Sequence, residues 1–512
     1  MEAQKKPEAG SNGRETNTHK DNIICPTFND LSLLSKPEAL IIINHILELA
    51  KPGEPIPHNQ IVAELLAKVE PVDFREIAEL EEDEKIKNNH LLIISVEQLL
   101  SLAINNDWGI CRNFDFIYLY NSAYWNHIEK NDFVSFLGNV AEKMGVDQYK
   151  AKHFQFREHL LKQFLVLAHL PKPEPAKDTV LINLKNGTFE ISSTGTKLRG
   201  FDRKDFLTYQ LPFSFNPDAK APLFMKYLNR VLPDQERQQV VSEYLGYVFI
   251  HPSLLKLEKT LLLYGTGANG KSVLFDIVNA LLGVENVSSY SLQSLTNENG
   301  YFRAKLANKL VNYASEISGN METAIFKQLV SGEPVEARLP YGEPFNLSNY
   351  AKLIFNVNEL PRDVEHTNAY FRRFLIIPFD VTIPEDEQNK ELSKKIIETE
   401  LEGVFNWILE GLHRLLEQRN FSKCEAAKIQ VEQYRIESDT VQMFITEMKY
   451  EKDATQYTLL KTLYTTYRVF CSEDGFKPLN KTNFGRRLEG LGIIKDRLSD
   501  GYVFYLKTDL PY

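Results

Sequence analysis

Residues Gly265 to Ser272 read Gly-Thr-Gly-Ala-Asn-Gly-Lys-Ser and fit the phosphate-cradling pattern G-x-x-x-x-G-K-[ST]. This loop constrains the fold more than any other feature, because it works only between a strand and a helix. Both flanks comply. Leu261, Leu262, Leu263 and Tyr264 form an apolar run, as a buried strand would. Val273, Leu274, Ile277, Val278, Leu281 and Leu282 then recur at helical spacing until Gly283 stops them. The pattern predicts an α/β domain. Gly265, Gly267 and Gly270 let backbone N–H groups surround a triphosphate, with Thr266, Ala268 and Asn269 completing the loop. Lys271 is the candidate for the β- and γ-phosphates, and the Ser272 hydroxyl for magnesium.

The chain has 512 residues, too many for one hydrophobic core, so three or four domains are expected. No stretch is long and apolar enough to span a bilayer. Met1 to Thr18 is polar, without the apolar segment of a signal peptide, which predicts a cytoplasmic protein without a membrane partner. Cys25, Cys111, Cys424 and Cys471 are scattered, against a zinc site or a disulfide framework. Net charge is −10, so binding to nucleic acid has to come from local basic surfaces.

Along the chain, residues 1–30 read as a disordered tail. Ser35-Lys36-Pro37-Glu38 looks like a capping box opening a helix to Ala50, and 31–105 forms a helical N-terminal region. The acidic Glu81 to Glu84 stretch reads as a solvated helix face. Residues 106–222 are mixed α+β. They hold a strand at Phe116–Tyr120, a return strand from Tyr124, helices over 131–170 and a hairpin turn at Asn186-Gly187. The P-loop domain occupies 223–385, a helical linker 386–438 (one helix from Leu392 to Leu416) and a last domain 439–512.

A phosphate loop alone implies only nucleotide binding; turnover needs an acid, a sensor and commonly an arginine. Leu310 to Ala314 is strand-like and runs into Ser315-Glu316. A carboxylate there can hold magnesium or polarise water, and the spacing leaves both roles open for Glu316. Glu322 is a possible second acid. Ala351 to Phe355 is another strand, ending in Asn356-Val357-Asn358-Glu359-Leu360-Pro361. Arg372 and Arg373 precede the apolar run from Phe374, where one of them can serve a neighbouring subunit as an arginine finger.

In this order, Gly265–Ser272, Leu310–Glu316, Leu353–Pro361 and Arg372–Phe379 resemble the superfamily 3 DNA helicases, nearest the helicase half of phage and plasmid primase–helicases. Phe326 to Arg338 is similar to the same branch, as are Leu184-Lys185-Asn186-Gly187, Asn216 to Lys220, Tyr244 to Tyr247, Glu402 to Trp407 and Ser438-Asp439. The resemblance covers roughly residues 110–512. It implies an AAA+-like α/β P-loop core with an α+β N-terminal region and a C-terminal winged helix. It also implies ATP and Mg2+ as ligands, a homo-hexameric ring and unwinding of duplex DNA during replication of a phage, plasmid or integrated mobile element. By resemblance, Lys271 and Ser272 are Walker A, Glu316 takes the Walker B position, Asn358 is the sensor, and Arg372 or Arg373 is the finger. There is no tandem acidic pair at the second strand.

Arg338 to Pro344 reads as a hairpin tip between Val335–Ala337 and Phe345–Leu347. Similar helicases aim such a hairpin at DNA, which makes Arg338 and Tyr341 candidates for phosphate contact and stacking, with Lys327 nearby. Near the C-terminus, a helix at Thr458–Ser472, a short helix at Asn480–Gly490, and strands at Ile493–Lys495 and Tyr502–Leu506 give a winged-helix layout. Lys481, Arg486 and Arg487 on the short helix are its DNA-contact candidates. A winged helix used for protein contacts is the other reading of this segment.

No primase half is evident, which predicts a separate primase as partner. Single-stranded and forked DNA are the expected substrates. Two alternatives to a helicase stay open: an ATP-switched replication initiator that binds DNA without unwinding it, and an ATPase of the same fold acting on RNA.

Overall fold

The computed structural model describes residues 55–113, 116–170, 178–193, 195–315, 317, 321–340, 342–361 and 365–508. The polar tail, the capping box at Ser35, Glu316 and Tyr341 lie outside the described residues.

The N-terminal part begins with α1 (His58–Lys68) and α2 (Asn88–Asn105). Between them, the acidic stretch is a turn and not a helix face. Arg75 causes this: its guanidinium donates to the carbonyls of Glu81 and Glu84 and gathers the segment around itself. Strands β1 (Gly109–Asn113), β2 (Phe116–Tyr120) and β3 (Trp125–Ile128) form an antiparallel sheet, with Gly109 opposite Tyr120 and Tyr120 opposite Trp125. Helices α3 (Lys130–Lys143) and α4 (Phe154–Leu167) pack with α1 and α2 around Phe133, Leu137, Leu161 and Phe164. A second antiparallel sheet holds β4 (Thr179–Leu184), β5 (Gly187–Ser192) and β6 (Gly195–Arg199). Gly187 sits at φ 144°, and a Cβ there would lie 2.4 Å from the Arg199 carbonyl oxygen, so the tight turn needs glycine.

Helices α5 (Pro222–Val231) and α6 (Gln235–Tyr247) lead into the P-loop domain. Its sheet is wholly parallel and contains β7 (Thr260–Tyr264), β8 (Val287–Ser288), β9 (Val311–Ala314), β12 (Lys352–Val357) and β13 (Phe374–Pro378), in the spatial order β13-β7-β12-β9-β8. Helix α7 (Lys271–Leu282) follows the loop after β7. Helix α8 (Thr323–Ser331) precedes the antiparallel hairpin of β10 (Val335–Arg338) and β11 (Pro344–Leu347). One hydrophobic cluster runs from Val180 on β4 through α5, α6 and α7 to Ala427, so the second sheet and the parallel-sheet domain share a core.

The helix expected over Leu392–Leu416 is two helices, α9 (Leu392–Thr399) and α10 (Leu401–Gln418). The break falls at Glu400, whose buried carboxylate accepts from Leu223 N and Phe224 N at 2.9 Å and so caps α5. Helix α11 (Glu425–Glu437) follows and packs on β13. The C-terminal part contains α12 (Thr440–Glu447), β14 (Thr458–Leu459), α13 (Leu460–Glu473), α14 (Lys481–Gly490), β15 (Lys495–Leu498) and β16 (Gly501–Phe504), with sheet order β14-β16-β15. Its core gathers Phe444, Tyr467, Phe484, Leu488 and Phe504. The strand expected at Ile493–Lys495 starts two residues later, because Ile493 is a buried anchor of this core.

Candidate functional site

The glycine-rich loop leaves the carboxyl end of β7 and enters α7, and its glycines are required for separate reasons. A Cβ on Gly265 would lie 2.7 Å from the Phe379 carbonyl oxygen. Gly267 and Gly270 sit at φ 118° and 84°, which an L side chain rarely adopts. A Cβ on Gly270 would also meet Val231 Cγ1 at 2.7 Å. Ala268 is left-handed too, at φ 50°. Positive φ at Gly267, Ala268 and Gly270 gives the loop the tight path on which backbone N–H groups can line an anion nest.

Three contacts hold the loop from outside. Tyr227 of α5 donates its hydroxyl to Gly270 O at 2.8 Å, and burial raises its pKa. Ile383 N donates to Ala268 O at 2.8 Å, and Asn269 Nδ2 to Phe379 O at 3.2 Å. Lys271 is 5% exposed. Its ammonium donates to Gly265 O at 2.6 Å and Asn269 Oδ1 at 2.9 Å, both neutral acceptors. Among the described residues, no carboxylate lies within ion-pair range of it. Burial lowers its pKa, the response of a cation taken from water without a countercharge. The nest, the glycines that cannot carry a Cβ and this buried ammonium fit a polyphosphate. Ser272 is exposed in the first turn of α7, open to a magnesium ion.

The strand order decides what stands beside the loop. In a parallel sheet, ligands bind off the carboxyl ends of the strands. Strand β12 lies between β7 and β9, with Val357 opposite Tyr264 and Phe355 opposite Ala314. Gly265 N donates to Val357 O at 3.1 Å, so exposed Asn358, the next residue, emerges beside the loop. Asn356 is buried instead and accepts from the Tyr313 hydroxyl at 3.0 Å, which ties β12 to β9. Glu316 lies two residues beyond the end of β9, outside the described residues. Glu322 caps α8, its carboxylate accepting from Ala324 N at 3.4 Å.

Arg372 and Arg373 do not join this edge. They precede β13, and Arg373 O accepts from Thr260 N at 2.8 Å, at the start of β7. The length of β7 therefore separates the pair from the loop on the same protomer, roughly 15 Å. Arg372 ion-pairs with Glu258 at 2.6 Å, and its side chain keeps 49% of its surface. Arg373 is 8% exposed, donates to Ser331 Oγ at 3.1 Å and to Ala369 O, and stands 3.8 Å from Glu258. Burial disfavours charge on Glu258, but Arg372 and Arg373 together hold its carboxyl below the usual range. Glu258 had no motif to mark it; only the packing shows that both arginines answer to it.

The DNA-contact candidates divide by how they are engaged. Arg338 is exposed at the hairpin and folds onto it, Nε donating to Gly342 O at 2.8 Å. Tyr341 lies outside the described residues. Lys327 is bound to both carboxylate oxygens of Glu365, at 2.7 and 2.6 Å. Arg303, which no motif marks, is 3% exposed and secures the hairpin root by donating to Glu336 O at 2.6 Å. At the C-terminus, Lys481 and Arg486 are exposed on α14. Arg487 is instead committed to Asp439, 1% exposed, with Nε to Oδ2 at 2.7 Å. Sequence reasoning also missed Arg497 and Lys495, whose cations lie 5.7 and 4.8 Å from the centre of the exposed Tyr502 ring on the β15–β16 hairpin. Alternating basic residues and an aromatic on a short hairpin were a readable signal.

Comparison with known proteins matches three family models to successive parts of the chain. They are "D5 N terminal like" over residues 97–233, "Family of unknown function (DUF5906)" over 263–373 and "Poxvirus D5 protein-like" over 436–503. Among solved structures, the A form apo structure of the NrS-1 C terminal region is 12% identical, with 83% of this chain and 100% of that one covered at a TM-score of 0.44. An apo structure of the same region (305-718) is 13% identical over 83% of this chain and 100% of that one, at 0.45. At those scores the structural likeness carries no functional argument. Among the described residues, no helix is long and apolar enough to cross a membrane. The two D5 matches stand in order on either side of the P-loop sheet, so over those two parts the chain is similar to D5-like proteins.

Proposed function

We propose that this chain is an ATP-dependent DNA helicase of a replicating mobile element, active as a ring. The observation that carries the reading is Lys271: a buried ammonium held, among the described residues, only by neutral oxygens, in the glycine-rich loop on the carboxyl edge of a parallel sheet. A bound triphosphate supplies the missing countercharge. Gly265, Gly267 and Gly270 allow the backbone to close on it, Tyr227 and Ile383 keep the loop in shape, and Asn358 orients the γ-phosphate or the water. Ser272 and Glu316 would hold magnesium, which neutralises charge on the phosphates. Glu316 would instead, or in addition, act as the carboxylate base that polarises the attacking water.

The arginine pair supports assembly. Neither Arg372 nor Arg373 reaches the loop of its own protomer, so a finger role places them at a neighbour's nucleotide, and the active site is completed by a ring. The three helices and terminal hairpin of residues 439–508 support a winged helix. In it, Lys481 and Arg486 contact phosphate and the β15–β16 hairpin, with Arg497 and Tyr502, forms the wing. The β10–β11 hairpin carries Arg338 to a DNA strand in the ring channel.

The test is strand displacement on DNA and RNA forks, with ATPase rates measured with and without single-stranded DNA and particle mass measured alongside. DNA-stimulated hydrolysis, displacement of DNA forks and a ring-sized particle are expected. ATP binding with no displacement of either fork would favour the initiator reading, and displacement of RNA alone the third reading. Glu316→Gln should retain ATP and stop turnover; wild-type hydrolysis in that variant would remove Glu316 from the site.

A further inference from the structure

A cavity of about 360 Å³ lies at the opposite edge of the parallel sheet from the phosphate loop. One wall comes from the N-terminal part, with Tyr118, Lys204, Asp205 and Phe206; the other comes from the amino ends of β9 and β12, with Lys309 and Lys352. Its size is that of a small-ligand site. The length of β12 separates it from the loop, roughly 20 Å.

Its electrostatics are unbalanced. Lys352 is largely enclosed, and its ammonium sits 4.3 Å above the Tyr247 ring. Among the described residues, no carboxylate is within ion-pair range of it. Burial lowers its pKa to about 8. Lys309 donates to the Glu285 carbonyl, and Lys204 is exposed at the rim. Among the described residues, the only acid lining the cavity is Asp205, and its Oδ1 is already answered by Arg199 at 2.8 Å. The cavity thus carries an excess of positive charge. Yet, among the described residues, Asp205 Oδ2 is buried without a hydrogen-bond donor, a costly condition for a carboxylate. The adjoining Phe206 is held at φ 49°, a conformation that costs a bulky side chain about 1–2 kcal/mol. That strained backbone keeps its ring against Tyr118 and Trp125 at 5.2 and 5.3 Å, forming an aromatic wall.

We propose that this cavity is a second nucleotide site, which takes a nucleoside monophosphate with its phosphate on Lys352 and Lys309, its base against the Tyr118–Phe206 wall, and a base amino group on Asp205 Oδ2 once a turn of the Asp205 side chain brings that enclosed oxygen to the cavity. Cation, aromatic face and orphaned acceptor are the three features such a ligand needs at once, and inorganic phosphate uses only the first. The same chemistry is offered by a free nucleotide and by the 5′-phosphorylated end of a DNA strand. The site is independent of the phosphate loop, and Lys271→Ala lets the two be measured apart.

The experiment is calorimetric titration of the full-length Lys271→Ala chain with deoxyadenosine monophosphate, inorganic phosphate, and an oligodeoxyadenylate with and without its 5′-phosphate. Saturable binding of the monophosphate, or of the oligonucleotide only when 5′-phosphorylated, is expected, tighter than binding of inorganic phosphate. The first result assigns a free nucleotide and the second a strand end. Adding Lys352→Met should weaken binding about tenfold, as for removal of a charge-assisted hydrogen bond. Lys204→Ala, a rim substitution without consequence for folding, should weaken it about threefold. Absence of saturable binding by either probe would overturn the proposal. So would unchanged affinity in Lys204→Ala together with Lys352→Met or, if that variant does not fold, Lys352→Gln.

Discussion

The two edges of the parallel sheet treat positive charge in opposite ways. At the carboxyl edge, Lys271 is buried against neutral oxygens and its charge is unanswered by any described residue. At the amino edge, Arg372 and Arg373 are both answered by Glu258, and Arg373 is further tied to Ser331 and Ala369. The first arrangement is poised for a ligand carrying several negative charges. The second has its countercharge on the same protomer, although Arg373 Nε is buried without a hydrogen-bond partner among the described residues, and a finger role would require an arginine to leave Glu258. One sheet thus keeps the unanswered cation and the answered arginine pair at opposite ends of its strands.

The largest effect should follow from breaking the unanswered edge. Lys271→Ala should lower ATP hydrolysis by at least about a hundredfold, the scale for losing a preorganised electrostatic group, as read by steady-state phosphate release. Hydrolysis at the wild-type rate would make the buried lysine structural.

Replacing both Arg372 and Arg373 by alanine should spare ATP binding and slow turnover by about a thousandfold, the lower end for an arginine finger. Mixing that variant with Lys271→Ala should restore part of the activity, because a mixed interface pairs an intact loop with an intact finger. Normal turnover in the double variant, or full activity from a monomer, would remove the trans role. The single variants should differ: Arg372 is half-exposed and freer to move, whereas Arg373 also packs, so Arg373→Ala should in addition lower the melting temperature.

A smaller effect is expected from Gly270→Ala, which forces an L side chain into φ 84° against Val231. The conformation alone costs about 1–2 kcal/mol, and nucleotide affinity measured by calorimetry should fall with it. Unchanged affinity would mean that the loop readily adopts another shape.

The smallest changes in nucleotide turnover concern the C-terminal domain. Arg487→Ala leaves the buried Asp439 carboxylate without its partner and should destabilise that domain by about 1.5–3 kcal/mol, with little effect on DNA affinity beyond it. Lys481→Ala and Arg486→Ala should do the reverse. Stability should stay unchanged, and each substitution that frees a phosphate should reduce the slope of log affinity against log salt by about one. A salt slope indifferent to both substitutions would assign the domain to protein contacts.

Local chemistry made much of this molecule readable from its residues. The strand–loop–helix around Gly265–Ser272 follows from apolar periodicity and from glycines that only a tight loop needs. The hairpin at Asn186-Gly187, the β10–β11 hairpin and the helix at Lys481–Gly490 were legible for the same reason: turn and cap residues act over a few positions. Other features required distant residues to meet. The interruption at Glu400 comes from a carboxylate capping a helix some 177 residues earlier in the chain. Lys327 and Arg487 looked like free cations, and each found an acid that no spacing predicts, Glu365 and Asp439. The sheet order that sets Asn358 beside the phosphate loop and both arginines at the far edge is a property of strand pairing. Short-range rules wrote the elements into the sequence, but which charges are answered, and by what, was decided by packing between segments that the chain keeps far apart.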